Sequence, residues 1–400
     1  MKKIRFGWLL LLLVAVASLV VGCGSSNVDG SNFVRQGIQL TIAPDPVTRV
    51  VGENQQFTCA AFFNDGSSGD ATNLVRWTSS NPAVVSIDLN TGLATAIAPG
   101  NVTILAESDT LVDTAQMAVT FPNRLFVSNL TDNSIVVFDA AASGNVAPLR
   151  RIGGAATLLS GAAFSDFNLS ELFVASFTNA AVRVFAGGAD GDVAPLRSIA
   201  GGLTGFVNPT GATVIGDEVF VVDQSTQSVK AFTRNANGDL APLRTIAGGN
   251  TLLSVPIQLA SSGNDLLVTN AAGDSVTVYP RTGNGDIAPS RSISGVNTGI
   301  DDPIGIVVHE QEVMVVSRDN NSIRVFNVTD NGNIAPKRVI SGASTLLSSP
   351  ESACVLNSEI YVVNSNTNRI TVYPLNADGN VAPAREIFGA ATLLVAPQSI

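Results

Sequence analysis

The feature of this 400-residue sequence that most constrains its fold is a unit that recurs six times at a constant interval of 47 residues. An Ala-Pro-x-Arg element marks each copy, and its prolines are Pro148, Pro195, Pro242, Pro289, Pro336 and Pro383. An arginine two residues after each proline, a glycine four residues before it and an aromatic residue ten residues before it keep the same interval. Because no copy gains or loses a residue, we expect one supersecondary unit that stacks against its neighbours.

Each copy contains four short apolar segments separated by turn residues. In the copy that begins at Pro209, these segments are 209–215, 218–223, 228–233 and 240–246. Four strands in a unit of this length are typical of a propeller blade, and a helical period is absent. The repeated proline falls in the fourth segment, which fits an outermost strand because a missing N–H costs little there. The sequence therefore predicts an all-β, six-bladed β-propeller over residues 122–400.

The copies resemble the NHL and YVTN classes of propeller repeat. The segments that carry this resemblance include 360–364 (IYVVN) and 368–373 (NRITVY). The resemblance implies the fold but not the activity, because propellers of these classes serve as enzymes, binding proteins and scaffolds.

The last four residues predict how the ring closes. The first copy begins at its second strand, directly after residue 122, and so lacks a first strand. Residues 397–400 align with the first strands that begin at Pro209, Pro256, Pro303 and Pro350. We expect them to complete the first blade as its innermost strand, which would cover an otherwise open sheet edge.

Residues 37–121 read as a separate β-sandwich of short strands and turns. The segments 76–87, 91–96 and 99–104 closely resemble the bacterial Ig-like group 2 family. Trp77 is the only tryptophan after the N-terminal apolar run, and we expect it to anchor the core of this sandwich. The resemblance implies a stalk or an adhesive spacer at a cell surface.

The N-terminus has the pattern of an export signal. Lys2, Lys3 and Arg5 precede an apolar run over 8–21, which is shorter than the roughly 20 residues that a membrane-spanning helix needs. The run ends in Leu-Val-Val-Gly-Cys, which resembles the bacterial lipobox, and this resemblance implies lipidation at Cys23. We predict a lipoprotein signal peptide over 1–22, a flexible tether over 23–36, and a membrane contact through the lipid anchor. Gly24 favours, by the same resemblance, the outer membrane or the surface of a bacterial cell envelope.

Charge and cysteine content narrow the class of partner. The net charge is −10, and removal of residues 1–22 leaves 19 basic and 32 acidic residues, or −13. An acidic chain without a basic cluster disfavours nucleic-acid binding. Cys59 and Cys354 fall in different predicted domains, so we expect free thiols rather than a disulfide. The sequence predicts no cofactor and no metal site, and its single histidine, His309, cannot form a zinc cluster.

Departures from the repeat mark the candidate ligand-binding residues. They fall on the face formed by the loop between strands two and three and by the blade-to-blade loop, and they are Asp301, Asp302, Arg318, Asp319 and Glu351. Asp223, which ends a second strand, is a further candidate, with local turn capping as its alternative role.

The repeated polar motifs have structural interpretations. The Gly-Asp and Gly-Asn pairs favour hairpin turns over calcium ligands. If each hairpin is centred on its glycine, the repeated arginine stands opposite the repeated aromatic, as with Arg150 and Phe138. We therefore expect the arginines to stack within blades rather than to form an anion-binding ring.

These observations predict a cell-envelope lipoprotein that presents a propeller on an Ig-like stalk, as a binding or adhesion module for a protein or carbohydrate ligand. One alternative is a metal-dependent hydrolase of the lactonase type, with Glu351 and Asp223 as metal ligands. Another is a scaffold subunit of an envelope complex. The near-equivalence of the copies and the scatter of the acids argue against catalysis, so no catalytic residue is predicted.

Overall fold

The computed structural model describes residues 35–120, 123–168 and 170–400, and these residues form an all-β protein. The chain divides into two compact units, Met1–Pro122 and Asn123–Ile400. The predicted signal peptide, Cys23 and most of the predicted tether lie outside the described residues. Within the described ranges, no helix has the length and apolar character needed to cross a membrane.

The first unit is an Ig-like β-sandwich of ten short strands. They are β1 (Gly37–Ala43), β2 (Val47–Val50), β3 (Asn54–Gln56), β4 (Thr58–Phe63), β5 (Ser68–Asp70), β6 (Arg76–Ser79), β7 (Val85–Ile87), β8 (Leu93–Ala96), β9 (Gly100–Glu107) and β10 (Val112–Thr120). The sheet orders are β1-β4-β5, β2-β10-β9-β6 and β3-β8-β7. β10 pairs with β9 antiparallel and with β2 parallel.

Trp77 is fully buried in the core of this unit, beside Phe57. Its indole Nε1 donates a hydrogen bond to the carbonyl oxygen of Thr72 at 2.8 Å, so the one polar atom of the ring is satisfied. The predicted role of Trp77 as the core anchor is confirmed. Cys59 and Cys354 are free thiols, as expected, and burial raises the pKa of both.

The second unit is a six-bladed β-propeller, because its strands form six four-stranded antiparallel sheets. The inner strands are Ala162–Asn168, Pro209–Ile215, Pro256–Ser262, Pro303–His309, Pro350–Leu356 and Pro397–Ser399. The second strands are Arg124–Asn129, Glu171–Ser176, Glu218–Asp223, Asp265–Asn270, Glu312–Ser317 and Glu359–Asn364. The third strands are Ser134–Asp139, Ala181–Ala186, Ser228–Thr233, Ser275–Pro280, Ser322–Asn327 and Arg369–Pro374. The outer strands are Arg150–Gly153, Arg197–Ala200, Arg244–Ala247, Arg291–Ser294, Arg338–Ser341 and Arg385–Ile387.

Each outer strand is followed by a short 3-10 turn that leads toward the next inner strand. These turns are Ala155–Thr157, Gly202–Thr204, Gly249–Thr251, Val296–Thr298, Ala343–Thr345 and Ala390–Thr392, and a further one, Ala271–Gly273, follows the second strand of blade 4. We number the blades 1 to 6 by their outer strands, so that blade 1 ends at Gly153 and blade 6 at Ile387.

The C-terminal strand closes the ring, as the repeat alignment predicts. Pro397–Ser399 pairs with Arg124–Asn129 of blade 1, with Ser399 opposite Ser128 and Pro397 opposite Asn129. The hydroxyls of Ser128 and Ser399 lie 2.8 Å apart, and the Ser399 amide donates to the Ser128 hydroxyl. The inner strands of successive blades contact one another around the whole ring.

The core of the propeller lies between adjacent blades rather than within any one of them. Phe173 and Val184 of blade 2, for example, pack with Ala212, Val221 and Phe232 of blade 3. Both faces of a second strand are therefore buried, which explains its continuous apolar sequence.

The register of the outer strand differs from the sequence-based prediction. Arg244 stands opposite Ala231 and not opposite the aromatic Phe232, and the same one-residue offset holds in the other blades. The repeated proline precedes the outer strand instead of lying in it. The cause is that Gly238, with a φ of 85°, forms a parallel bridge to Ile199 of the preceding blade. The segment between strands three and four is therefore not a symmetric hairpin.

Candidate functional site

A cavity of about 360 Å³ lies at the end of the propeller where the inner strands begin. Two symmetric sets of positions contribute most of its lining. The first set is the second residue of each inner strand: Ala163, Thr210, Ile257, Ile304, Glu351 and Gln398. The second set is the residue that follows the second strand in five blades: Leu130, Phe177, Gln224, Ala271 and Arg318. The cavity is therefore axial, and each blade offers it equivalent positions with different side chains.

One wall of the cavity is apolar. Phe164, Ile257 and Ile304, from the inner strands of blades 2, 4 and 5, form a buried cluster. Val255 and Ala271 pack against this cluster and also line the cavity. Side chains from non-adjacent blades meet here. They therefore occupy part of the space around the axis of the ring and form the apolar wall of the cavity.

Another part of the cavity lining carries an ion network. Arg318 Nε and Nη2 lie 2.7 and 2.6 Å from the same oxygen, Oδ2 of Asp302. Arg318 Nη1 lies 3.6 Å from Oε2 of Glu351, which is too long for a hydrogen bond. All three residues line the cavity. The arginine is thus committed mainly to Asp302, although it neutralises part of the charge of both acids.

Glu351 is the most deeply buried of these charged groups, with its side chain 4% exposed. Its Oε1 accepts a hydrogen bond from the Ser365 hydroxyl at 2.8 Å and a longer one from Ser349. Its Oε2 accepts no hydrogen bond from any residue that the structure describes. Burial raises the pKa of Glu351, against the lowering effect of the Ser365 hydrogen bond and the Arg318 charge.

The sequence-predicted candidates divide between this cavity and other roles. Asp302, Arg318 and Glu351 come together in it. Asp319 lies close enough to Asp302 to raise the pKa of that carboxyl, although burial is the larger cause. Asp301 instead acts on Arg324, where its charge opposes the lowering of the Arg324 pKa by burial.

Asp223 has the turn-capping role that the sequence left open as an alternative. Its carboxylate accepts hydrogen bonds from the amides of Val207 at 2.7 Å and of Thr226 at 3.0 Å. Equivalent residues do the same elsewhere, as Asn364 accepts from the Ser348 amide at 2.9 Å. Asp223 is not among the residues that line the axial cavity, whereas its neighbour Gln224 is.

Sequence reasoning missed the apolar wall and two amides, Gln224 and Gln398. The signal was present in the repeat, because these residues occupy the same two positions as Arg318 and Glu351 in other blades. A comparison of all six copies at those two positions, and not only of the charged exceptions, would have found them.

The repeated arginines lie in the blades and not at the axis. In blades 2 to 6 the arginine pairs with the acid that begins the second strand of its own blade, as Arg197 does with Glu171 at 2.6 Å. The pair lowers the pKa of Glu171. The same arginine donates to a backbone carbonyl 37 residues further on, in the next blade, as Arg291 does to Val328 at 2.7 Å. These arginines therefore connect neighbouring blades.

The aromatic partner of the arginine is also corrected. The Arg244 guanidinium lies 5.9 Å from the ring of Phe220, on the second strand, and Arg197 lies at the same distance from Phe173. Phe220 and Arg244 both stand opposite Ala231, from its two sides, so the offset register aligns them on one face of the sheet. The predicted stacking occurs, but with a different strand.

The Asx-Gly-Asx segments bind the preceding blade. Asp190 accepts a hydrogen bond from the Arg151 amide at 3.0 Å, and Asp192 accepts one from the Ala156 amide at 2.7 Å. Their carboxylates thus cap backbone groups of the neighbouring outer strand and 3-10 turn. In the described ranges, no group of three or more His, Cys, Asp or Glu side chains is placed to hold a metal ion.

Comparisons with known proteins cover parts of the chain. Over 123 residues it is 32% identical to Ice-binding protein 1 of Shewanella frigidimarina (strain NCIMB 400), a match that spans 30% of this chain and 13% of that protein. The chain thus covers only a small share of the length of this relative.

Solved structures resemble the chain at low identity. A functionally unknown protein from Desulfotomaculum acetoxidans DSM 771 is 13% identical, with a TM-score of 0.45 over 68% of this chain and 83% of that one. A protein from Bacteroides uniformis ATCC 8492, provisionally named a 6-phosphogluconolactonase, is 14% identical, with a TM-score of 0.45 over 85% and 93%. Likenesses of this size carry no information about activity. Residues 39–119 match the family model described as Bacterial Ig-like domain (group 2), which makes the first unit an Ig-like module.

Proposed function

We propose that this protein is a binding module of the bacterial cell envelope, whose propeller holds an organic ligand in the axial cavity. In this proposal a lipid on Cys23 anchors the chain, and the Ig-like module lies between the anchor and the propeller in the sequence. The observation that carries the proposal is the cavity itself. It combines an apolar wall with a buried carboxylate oxygen that has no hydrogen-bond donor among the described residues.

Two features of the cavity support ligand binding over a purely structural role. Its volume of about 360 Å³ and its mostly apolar lining with a few polar groups are typical of sites for small organic molecules. The repeats also differ from one another here: one position carries Ala163, Thr210, Ile257, Ile304, Glu351 and Gln398 in the six blades. By contrast, one packed position of the second strand keeps the same buried side chain in all six copies: Val127, Val174, Val221, Val268, Val315 and Val362.

A metal-dependent lactonase is less well supported by the geometry. It would need Glu351 and Asp223 on one metal ion. Asp223 instead uses its carboxylate on the amides of Val207 and Thr226, and Glu351 faces Arg318 across the cavity wall.

Binding of Nile red, a neutral apolar dye, tests the proposed function on the full chain. Ala272 lines the cavity from an exposed position, so Ala272→Trp should cover it without entering the core. Ala156→Trp is the matched control, because Ala156 is also the exposed middle residue of a 3-10 turn but does not line the cavity. We expect dye fluorescence to fall at least several-fold with Ala272→Trp only. Equal binding by both variants would refute the axial site.

A further inference from the structure

The charges around the axial cavity select the kind of ligand that it can hold. Three acidic side chains, Asp302, Asp319 and Glu351, lie near one basic side chain, Arg318. Nε and Nη2 of Arg318 both contact Asp302. Among the described residues that line the cavity, the charge balance is therefore negative, and the arginine already binds Asp302. An anionic ligand would meet excess negative charge, whereas a cationic group would be attracted.

Oε2 of Glu351 accepts no hydrogen bond from the described residues, and this adds a directional requirement for the ligand. A buried acceptor without a donor is costly, and a ligand that donates an N–H to it removes that cost. Oε2 lies 3.6 Å from Arg318 Nη1, so the guanidinium supplies charge but no hydrogen bond. The Gln398 side chain occupies the equivalent position in the adjacent blade and lines the same cavity, so the cavity offers a further polar group beside the blade of Glu351.

We propose that the ligand is an unbranched apolar chain that ends in a primary ammonium, which donates to Glu351 Oε2 while the chain lies along Phe164, Ile257 and Ile304. This inference rests on the proposed function and specifies its ligand class. A primary ammonium fits because it brings three donors and a positive charge on a slender chain.

An apolar chain that ends in a primary ammonium can come from two sources, a free aliphatic amine or the lysine side chain of another protein. The face around the cavity bears on the choice between them. One exposed apolar side chain per blade lies on the 3-10 turns of this face or directly after them: Leu158, Leu203, Leu252, Val296, Leu346 and Leu393. A peptide can contact this rim, whereas a short free amine in the cavity cannot.

The test is calorimetric titration of the full chain with hexylamine, with hexanol and hexanoate as probes of equal length. We expect hexylamine to bind at least ten-fold more tightly than either. Glu351→Gln should remove that preference and leave hexanol binding unchanged, with thermal melts confirming that the variant is folded. Arg318→Gln should tighten hexylamine binding several-fold, because it removes the competing cation.

Preferential binding of hexanoate would overturn the inference, as would a hexylamine preference that survives Glu351→Gln. If Nile red binds through the cavity but hexylamine does not exceed hexanol, the ligand class is wrong and the proposed function stands. If Nile red also fails to bind, both proposals are wrong.

A blocked peptide, acetyl-Ala-Lys-Ala-amide, distinguishes the two sources of the ammonium. If the peptide binds more tightly than hexylamine, and Leu252→Ser removes this advantage, the ligand is a protein lysine. Equal or weaker binding of the peptide identifies a free amine.

Discussion

Arg385 in blade 6 donates a hydrogen bond from Nη2 to the carbonyl oxygen of Ala140 in blade 1, at 2.8 Å. The same guanidinium binds both carboxylate oxygens of Glu359 in its own blade. Elsewhere in the ring the equivalent bond joins residues 37 positions apart, as between Arg244 and Arg281. Between Arg385 and Ala140 it joins residues 245 positions apart, so this arginine fastens the two ends of the propeller.

Replacement of this arginine should therefore weaken the propeller. We expect Arg385→Ala and Arg244→Ala each to lower the free energy of unfolding by about 1–3 kcal/mol, because each removes charge-assisted hydrogen bonds in a partly buried site. Urea denaturation measures the change. Arg49→Ala is the control, since the Arg49 side chain donates to the carbonyl of its sequence neighbour Thr48 and lies in the other unit. Because these arginines are structural, hexylamine binding by the folded variants should not change, and a loss of binding at full stability would contradict the assignment.

Asn129, the last residue of the second strand of blade 1, also holds together the first and last parts of the propeller chain. Its Oδ1 accepts from the Val395 amide and its Nδ2 donates to the Leu393 carbonyl, both at 2.9 Å. Asn129→Ala should cost about 1–3 kcal/mol, since it removes two hydrogen bonds made by a fully buried side chain. We also expect faster amide hydrogen exchange in the closing strand Pro397–Ser399. No short loop connects this strand to the blade 1 strand with which it pairs, so its pairing depends more on side-chain hydrogen bonds.

The matched variant for Asn129 is Asn364→Ala. Asn364 makes the equivalent bond to the Ser348 amide, but within a stretch of continuous chain. We expect this variant to lose similar stability without faster exchange at 397–399. Equal exchange at the closing strand in both variants would show that the closure of the ring is no weaker than the other blade junctions.

The three tyrosines of the chain predict an alkaline transition. Tyr279, Tyr361 and Tyr373 are fully buried, and burial raises the pKa of each to about 12. The unfolded value is about 10, so the folded state favours the protonated phenol. Its contribution to stability is complete below pH 10 and is lost as the pH rises toward 12.

Absorbance of the tyrosinate ion measures this transition. The folded protein should show almost no tyrosinate near pH 10, whereas the protein in concentrated guanidinium chloride should show all three groups titrating there. Ionisation in the folded state should coincide with the loss of the circular dichroism signal. A normal titration step at pH 10 with the fold intact would mean that these rings are open to solvent.

The predicted anchor at Cys23 is tested by Cys23→Ser in a bacterial host. We expect the variant to lose metabolic labelling with a fatty acid and to leave the membrane fraction, because the acyl chains supply the membrane affinity. Cys354→Ser is the control, as its thiol is buried and should not be modified. Labelling that persists in Cys23→Ser would overturn the lipoprotein proposal.

The sequence was sufficient to predict the architecture wherever the repeat determined it. The four apolar segments in each 47-residue copy predict four strands per blade. The alignment of residues 397–400 with the first strand at Pro209 predicts how the ring closes. Trp77 was predictable because burial of a large aromatic side chain stabilises the core of a small sandwich.

The register of the outer strand was not predictable from one copy of the repeat. It depends on the bridge between Gly238 and Ile199, which belong to adjacent blades, and a local hairpin rule does not include that contact. The site was predictable only in part for the same reason. The repeat marks Glu351, Arg318 and Asp302 as exceptions, but the distances between them depend on how blades 5 and 6 pack against each other.

The constant spacing of the contacts between blades has a consequence for how such a gene can evolve. Every junction uses the same positions of the unit, so a recombination event that duplicates or removes one whole copy would recreate the same junctions. The blades would remain compatible, whereas the circumference of the ring, and with it the width of the axial cavity, would change by one step. A change in the number of copies would then change the size of ligand that fits in a large step. Point substitutions at the two axial positions of each blade would change it in smaller steps.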